Sequence, residues 1–312
     1  MIKPEVIVIT GPTATGKSAL GVKLAQEIGG EIVSADSMQV YKYMDIGTAK
    51  PTTAEMCGIP HHMLDFVPPW EDYSVALYVD DASKCIDDIL KRGKQPILVG
   101  GSGLYIDSLI AGRTFSARSE NDLRKQLEDE FDYTGGEAML KKLREIDAES
   151  AARLHSNDKK RIVRAMEAYM ITGKTISEHD VETKAVPPRY NTLKIAITFS
   201  ERNELYARIN RRVDGMMLRG LEDEVNSLLS RGVPCSSTSM QAIGYKEISA
   251  AIINRSDMSS AVEKVKMESR RYAKRQLTWL RRDDEIKWVT RECLLDVDST
   301  TQIILELFNE AK

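Results

Sequence analysis

Residues 6–18 read VIVITGPTATGKS, and this stretch decides the fold. Residues 5–10 form a short β-branched run that predicts a buried strand, ended by Gly11 and Pro12. The pattern G-x-x-x-x-G-K-S follows at once and leads into a helical period, which is the context that a phosphate-binding loop (P-loop) requires. Backbone N–H groups of such a loop converge on phosphate oxygens at a helix N-terminus. We therefore predict that a polyphosphate binds here, at Gly11, Pro12, Thr13, Ala14, Thr15, Gly16, Lys17 and Ser18.

The acid that usually accompanies a P-loop is missing from its expected place. Lys17 supplies a point charge and the Ser18 hydroxyl can ligate Mg²⁺, but P-loop ATPases and GTPases also carry a metal-orienting Asp at another strand end. The apolar run 97–99 ends in GGSG, which offers no acid. The nearest acid at a strand end is Asp36, within SADSMQ at 34–39. Asp36 can serve as a general base or as a metal orienter, and this weakens the interpretation as a plain NTPase.

Strands and helices alternate outward from the P-loop. Apolar residues recur every four positions after Ser18 and predict a helix, and a second helix is predicted near 73–91. Further strands are predicted at 31–35, 96–99 and 193–199. Strands that alternate with helices indicate a parallel sheet with crossover helices. The predicted fold class is α/β, a P-loop NTPase-like parallel sheet with a helical insertion domain and a helical C-terminal part.

Three regions follow from this pattern. Residues 1–113 form the first part of the P-loop core, and residues 189–312 form its return strand and helical C-terminal part. Residues 114–188 have few strand signals, many charges and several helical periods, and they close with Val186-Pro187-Pro188. We interpret them as a helical insertion that covers or extends the site beside the sheet, with a merely structural appendage as the alternative.

The composition is that of an ordinary globular protein in a reducing compartment. Of 312 residues, 42% are hydrophobic and 29% charged, and the net charge is −3, so any basic surface has to be local. The four cysteines form no CxxC pair, which argues against a zinc site or a disulfide framework. No signal peptide or membrane-spanning run is apparent. We expect a cytoplasmic protein without membrane contact, and a monomer because no long exposed apolar seam appears.

Several motifs together resemble the tRNA dimethylallyltransferase family, also called tRNA isopentenyltransferases or IPP transferases. They occur in order across nearly the whole chain, which makes the set far more specific than the P-loop alone. The segments are 11–18 (GPTATGKS), 34–41 (SADSMQVY), 45–51 (DIGTAKP), 58–62 (GIPHH), 99–105 (VGGSGLY), 157–167 (NDKKRIVRAME), 241–247 (QAIGYKE) and 270–276 (RRYAKRQ).

The resemblance implies an activity and a set of site residues. The reaction would transfer a dimethylallyl group from dimethylallyl diphosphate to N6 of the adenosine directly 3′ of the anticodon in tRNA, with Mg²⁺ as cofactor. The poorly nucleophilic amine needs a general base, which the resemblance makes Asp36. Ser102 falls where the family usually has Thr, so the hydroxyl is retained. Arg124, in a weaker local motif, resembles a position linked to catalysis, although a solvated surface arginine is as good an interpretation.

The same resemblance assigns contacts with the tRNA anticodon stem-loop. An enzyme that reaches a base inside this loop must extrude it and hold the RNA backbone. We expect the insertion to face the tRNA through 160–164. The predicted tRNA-binding residues are Ser37, Met38, Gln39, Lys160, Arg161, Ile162, Val163, Arg164, Gln241, Gly244, Tyr245, Lys246, Arg271 and Arg275.

A local basic segment fits an RNA partner, an interpretation that rests largely on the resemblance because a charge run is usually a solvated face. Residues 264–282 hold eight basic residues and one acidic residue, a local charge of +7 in a chain that is acidic overall. Like charges lie four residues apart, which costs helix stability and is explained by a phosphate partner. Tyr272 and Trp279 lie between these charges and could stack on bases, although Trp279 is more simply a core residue.

Three other functions remain open from the residues. A nucleoside or small-molecule kinase would use the P-loop for ATP, but it leaves the basic segment unexplained. An isopentenyltransferase acting on free adenine nucleotides would need neither the insertion nor that segment. A non-catalytic RNA-binding module would leave Asp36 without a purpose. His61 and His62 have no ligand partner at metal spacing, so a structural or positioning role is favoured.

Overall fold

A computed structural model describes residues 4–113, 121–292 and 296–311. It divides the chain into two compact units, one made of residues 1–110 and 189–312 and the other of Ala111–Pro188. The sequence-based division lies at 113/114 and 188/189. We call them the sheet unit and the helical unit and describe each by itself.

The first part of the sheet unit alternates strands and helices. Its elements are β1 (Val6–Thr10), α1 (Lys17–Ile28), β2 (Gly30–Ala35), α2 (Thr53–Met56), β3 (His61–His62), α3 (Val75–Lys91), β4 (Gln95–Gly100) and α4 (Gly103–Ile110). The predicted helix near 73–91 is confirmed as α3, which Ser74 caps by accepting a hydrogen bond from the Leu77 amide.

The helical unit contains five helices among the described residues. They are α5 (Asn121–Thr134), α6 (Gly136–Ile146), α7 (Ala148–Ala152), α8 (Lys159–Thr172) and α9 (Ile176–Lys184). Apolar side chains of α5, α6 and α8 form a core of their own, which includes Leu127, Leu143 and Ile162. This unit therefore buries its own apolar faces.

The chain then returns to the sheet unit. Its remaining elements are β5 (Thr192–Phe199), α10 (Arg202–Leu218), α11 (Leu221–Ser230), a 3₁₀ turn (Ser239–Gln241), α12 (Tyr245–Asn254), α13 (Met258–Leu280), β6 (Lys287–Arg291) and α14 (Val297–Glu310). The basic segment lies almost entirely on α13. No helix in the described ranges has the length and apolar character needed to cross a membrane.

The six strands form one sheet in the order β3-β2-β4-β1-β5-β6, and all their pairings are parallel. The strand β1 lies inside the sheet with all five residues buried, as the run of β-branched residues predicts. The predicted α/β fold with a P-loop-like parallel sheet is confirmed. The edge strands β3 and β6 were not predicted, because one has two residues and the other is exposed at three of five positions.

Candidate functional site

The P-loop backbone joins β1 to α1 through conformations that only a few residue types adopt. Gly11 has a φ of 139°, and a Cβ at this position would lie 2.3 Å from the carbonyl oxygen of Ile197 on β5. Gly16, the residue before α1, has a φ of 80°. These two glycines are therefore required by the close approach of β5 and by the left-handed turn into the helix.

Lys17 lies in the first turn of α1 beside this loop. Its Nζ donates a hydrogen bond to the Pro12 carbonyl oxygen at 2.7 Å. Burial lowers the pKa of Lys17 to about 7, with repulsion from Arg212 also lowering it and attraction to Asp36 raising it. The charge of Lys17 thus interacts with Asp36, which was predicted from the sequence, and with Arg212, which was not.

A cluster of arginines on α10 borders the P-loop. Arg208, Arg211 and Arg212 line a cleft of about 470 Å³ together with Ala14 and Gly16 of the loop. Arg208 and Arg211 also pair with Glu204. Sequence reasoning missed Arg212, which stands about 200 positions from the loop and belongs to no recognised motif; the pair of adjacent arginines after the return strand was the only signal.

Asp36 follows directly after β2, at the carboxyl end of the parallel sheet. Its Oδ1 accepts a hydrogen bond from the Met38 amide at 2.9 Å, so a tight local turn fixes the carboxylate. The next residue, Ser37, donates its amide to the Ser102 Oγ at 3.0 Å. Ser102 stands after β4, the neighbouring strand, and the structure thus brings two predicted residues together at adjacent strand ends.

One cavity joins these groups. It has a volume of about 320 Å³ and is open to both the P-loop and the Asp36 turn. Apolar side chains from α10 and α13 form much of its wall, and two arginines add positive charge. The lining residues used below are Thr13, Asp36, Met38, Arg212, Gln241, Tyr272 and Arg275. A carboxylate, a phosphate loop and an arginine of the basic helix therefore face one space.

Tyr272 of α13 stands on the cavity wall. Burial raises the pKa of its hydroxyl to about 12, and the charge of Asp36 raises it as well. The hydroxyl stays protonated at neutral pH and is a neutral hydrogen-bonding group near the carboxylate. Trp279, two turns further along the helix, is 37% exposed and donates its Nε1 hydrogen to Asp107, so its expected core position is wrong.

The loop after the Asp36 turn is held by a single carboxylate. Glu224 of α11 accepts hydrogen bonds from the amides of Asp45, Ile46 and Gly47, at 2.8, 2.8 and 3.1 Å. It also accepts the Tyr245 hydroxyl at 2.5 Å. Gly47 is one lining residue of the cavity. Glu224 was not singled out from the sequence, because its partners are backbone amides that leave no sequence pattern.

Two residues of the predicted tRNA-binding set, Gly244 and Tyr245, lie inside the sheet unit. Tyr245 is fully buried and its hydroxyl is used by Glu224, while Gly244 is buried in the turn that starts α12. Neither residue offers a surface to RNA. Gln241 and Lys246 are exposed, and Gln241 lines the cavity.

The remaining predicted contacts of the sheet unit are accessible to different degrees. Ser37 and Met38 are half-buried beside Asp36. Gln39 uses its amide to donate to the carbonyls of Thr48 and Ala49, both at 3.2 Å, so it braces the neighbouring loop.

The basic helix α13 presents the last two of these contacts. Arg271 and Arg275 are both exposed. Arg271 pairs with Glu268 at 2.6 Å, and Arg275 lies over the Tyr272 ring at 5.8 Å. Arg275 is thereby held at the wall of the cavity that Asp36 shares.

The helical unit separates its predicted residues into two groups. Lys160 and Arg161 are exposed on α8, whereas the side chains of Ile162 and Val163 are buried in the core of this unit. Arg124 and Arg164 both pair with the buried carboxylate of Glu167, at 2.7 and 2.9 Å.

A metal ion would find few protein ligands in this site. Among the residues that the structure describes, no three His, Cys, Asp or Glu side chains cluster as a metal site would. His62 instead bonds to the buried Glu31 at 2.8 Å, and His61 to the Ile59 carbonyl. Ser18 at the start of α1 is exposed. The Ser18 hydroxyl as a single protein ligand is compatible with Mg²⁺, because this ion commonly keeps several waters and takes its other ligands from substrate phosphates.

Comparisons with known proteins agree with this geometry. The sequence profile of the IPP transferase family matches residues 39–283. A tRNA dimethylallyltransferase from Acetivibrio thermocellus is 47% identical over 97% of this chain and 96% of its own length. A second tRNA dimethylallyltransferase, from Geobacter sulfurreducens, is 45% identical over 98% of this chain and 97% of its own length.

Solved structures agree as well. The tRNA isopentenylpyrophosphate transferase of Bacillus halodurans has a TM-score of 0.72 at 40% identity, covering 99% of this chain and 98% of that one. A eukaryotic dimethylallyltransferase acting on tRNA has a TM-score of 0.82 at 32% identity, and the match covers 96% of this chain and 77% of that one. The P-loop, Asp36 and Ser102 all lie at the carboxyl ends of neighbouring strands of one sheet, as described above. Together with these matches, this shows that the chain belongs to the IPP transferase family.

Proposed function

We propose that this protein is a tRNA dimethylallyltransferase. It transfers the dimethylallyl group of dimethylallyl diphosphate to N6 of the adenosine directly 3′ of the anticodon, and it releases diphosphate. The observation that carries the proposal is the shared cavity, in which Asp36 faces the same space as Thr13 of the P-loop and Arg212. The names of the similar proteins, tRNA dimethylallyltransferase and a dimethylallyltransferase acting on tRNA, support the reaction and both substrates.

Asp36 acts as the general base. The adenine amine is a poor nucleophile because its lone pair is delocalised into the ring, so it must lose a proton as it attacks. The allylic C–O bond breaks, the N6–C bond forms, and the amine proton passes to the carboxylate. Because Oδ1 accepts the Met38 amide, the carboxylate keeps a fixed orientation and Oδ2 remains for this proton.

The P-loop and two cations stabilise the leaving diphosphate. Negative charge grows on its oxygens as the C–O bond breaks, and preorganised donors stabilise such charge most effectively. Lys17 and Arg212 stand beside the loop and provide that positive charge. We include Mg²⁺ at Ser18 in the proposal, since a bound cation would neutralise part of the diphosphate charge.

The RNA contacts belong to α13 and to the turn after β2. Arg271 and Arg275 contact phosphates, while Ser37, Met38 and Gln241 surround the extruded adenosine and its neighbours. In the helical unit we assign RNA contact to the exposed Lys160 and Arg161. We also assign a role in RNA binding to Arg124 and Arg164, which both pair with Glu167. The expected cytoplasmic location and monomeric state stay predictions.

The decisive experiment offers the protein two acceptors. Protein, Mg²⁺ and labelled dimethylallyl diphosphate are incubated with unmodified tRNA or with free AMP, and the nucleosides are then analysed for N6-dimethylallyl adenosine. We expect product on tRNA alone, and a loss of roughly 100-fold or more in Asp36→Asn but not in Asp80→Asn, which changes an exposed carboxylate of α3. Product on AMP would reassign the acceptor, and ATP turnover without prenylation would make the chain a kinase or NTPase.

A further inference from the structure

One buried amide side chain joins the two halves of the site. Gln276 lies on α13 and is 7% exposed. Its Oε1 accepts the Thr13 amide of the P-loop at 2.9 Å, and its Nε2 donates to the Gly101 carbonyl oxygen at 2.9 Å. Thr13 and Gly101 follow β1 and β4, which are neighbours in the sheet.

The two ends of this bridge lead to different reactants. Thr13 belongs to the loop that holds the diphosphate. Gly101 precedes Ser102, whose hydroxyl accepts the Ser37 amide next to Asp36. The Gln276 amide therefore bridges the P-loop, which supports the leaving diphosphate, and the loop of Ser102, which supports the turn of the base Asp36.

The fit around this side chain is tight. A Cβ added to Gly101 would lie 2.2 Å from the Gln276 Nε2, so the carbonyl can reach the amide only because residue 101 is a glycine. Thr13 also provides the first backbone donor after Gly11, since Pro12 has no N–H. Gln276 therefore bonds to a glycine carbonyl in one loop and to the first backbone donor after Gly11 in the other.

Only an amide of this length satisfies both loops. A side chain must accept at one atom and donate at another from the same terminal group. Glutamate has the same shape and can accept from Thr13, but its second oxygen would meet the Gly101 carbonyl. Methionine has a similar length and can do neither.

We infer that Gln276 is a positioning residue for the proposed reaction. Its amide sets the distance between the P-loop and the Ser102 loop, and so between the diphosphate and Asp36. It also ties both loops to the helix that carries Arg271 and Arg275, so that tRNA phosphates and the prenyl donor are held by one element. This inference rests on the proposed function and adds a residue to it.

The test compares Gln276→Glu and Gln276→Met with Gln26→Glu, a change of the same kind on the exposed face of α1. Prenylation is measured with tRNA at a temperature at which thermal unfolding shows every variant folded. A displacement of reacting groups by about 1 Å costs roughly 100-fold in rate. We expect kcat to fall by roughly 10- to 100-fold in both Gln276 variants, and KM for dimethylallyl diphosphate to change less than about threefold in the uncharged Gln276→Met. A kcat of Gln276→Glu within about threefold of the unaltered protein overturns the inference.

A second measurement does not depend on the reaction. Amide hydrogen exchange of Thr13 is followed by NMR in the absence of substrates. In Gln276→Met the Thr13 amide is expected to exchange at least about tenfold faster, because its acceptor is gone, while Gln26→Glu leaves the rate unchanged. An unchanged rate in Gln276→Met overturns the inference. Absence of prenylation by the unaltered protein refutes the proposed function instead, and the exchange result still decides whether Gln276 fixes the P-loop.

Discussion

Lys17 connects the chemistry of the P-loop with pH. In the ligand-free protein its pKa is about 7, because burial and Arg212 disfavour the charged form. A bound diphosphate favours the ammonium form, so binding above pH 7 must take up a proton, whereas binding at pH 6 finds the lysine already charged. Affinity for diphosphate should therefore fall as pH rises from about 6 to about 8, by roughly tenfold through this group.

Calorimetry in buffers of different ionisation enthalpy measures that proton uptake. Lys17→Arg is the control, since arginine stays charged over this range. Titration of the diphosphate itself is common to both proteins and cancels in the comparison. The idea fails if native protein and Lys17→Arg take up the same number of protons at pH 8.

The residues that sequence reasoning found and missed differ in one physical respect. The P-loop, Asp36 and Ser102 lie at strand ends within short motifs, so their chemistry shows in local sequence. Gln276 ends the recognised motif 270–276, but its partner Thr13 lies 263 positions away, so its role depends on how α13 packs and is not visible in the motif. The burial of Ile162 and Val163 was not evident either, because the motif 157–167 contains core and surface residues side by side.

At the scale of one element, Glu224 should determine the stability of the loop at 45–47. Glu224→Gln keeps the size of the side chain but replaces one accepting oxygen by a donor that faces backbone N–H groups. We expect the free energy of unfolding to fall by about 2 kcal/mol, whereas Glu222→Gln, an exposed position on the same helix, should change it by less than about 0.5 kcal/mol. Urea denaturation measures both, and equal stability of the two variants would count against the role of Glu224.

The helix α13 should provide the salt-dependent part of tRNA binding. Removing one cation that neutralises a phosphate makes the slope of log K against log salt shallower by about 0.7 to 0.9. The double change Arg271→Gln, Arg275→Gln should thus make the slope shallower by roughly 1.5, measured by fluorescence anisotropy with an anticodon stem-loop. Lys287→Gln on β6 is the control. An unchanged slope in the double variant would remove α13 from the RNA interface.

The strands show how far patterning predicts elements. Buried runs predicted β1, β2, β4 and β5 to within one or two residues, because a strand covered on both faces is continuously apolar. The edge strand β6 alternates exposed and buried residues next to charged flanks and resembles a loop. Its role is nevertheless central, since Arg291 at its end is buried and donates to the Thr15 carbonyl oxygen of the P-loop at 3.1 Å.

At the scale of the whole molecule, the insertion enters and leaves the sheet unit at one point. The Arg189 amide donates to the Ile110 carbonyl oxygen at 2.8 Å, so the two ends of the sheet unit already touch where the helical unit is attached. Each unit also has a core of its own. Replacing residues 111–188 with a short Gly/Ser linker should therefore cost little loop-closure entropy and leave the sheet unit folded.

Such a shortened protein separates the two substrates. The P-loop, Lys17 and Arg212 all belong to the sheet unit, so affinity for inorganic diphosphate should stay within about threefold of the full chain while tRNA affinity falls by at least about tenfold through the loss of Lys160 and Arg161. Circular dichroism and a single cooperative thermal transition establish the fold, and calorimetry and anisotropy give the two affinities. Full tRNA affinity without residues 111–188 would confine RNA recognition to α13 and the Asp36 turn, and loss of diphosphate binding in a folded protein would show that the helical unit shapes the P-loop.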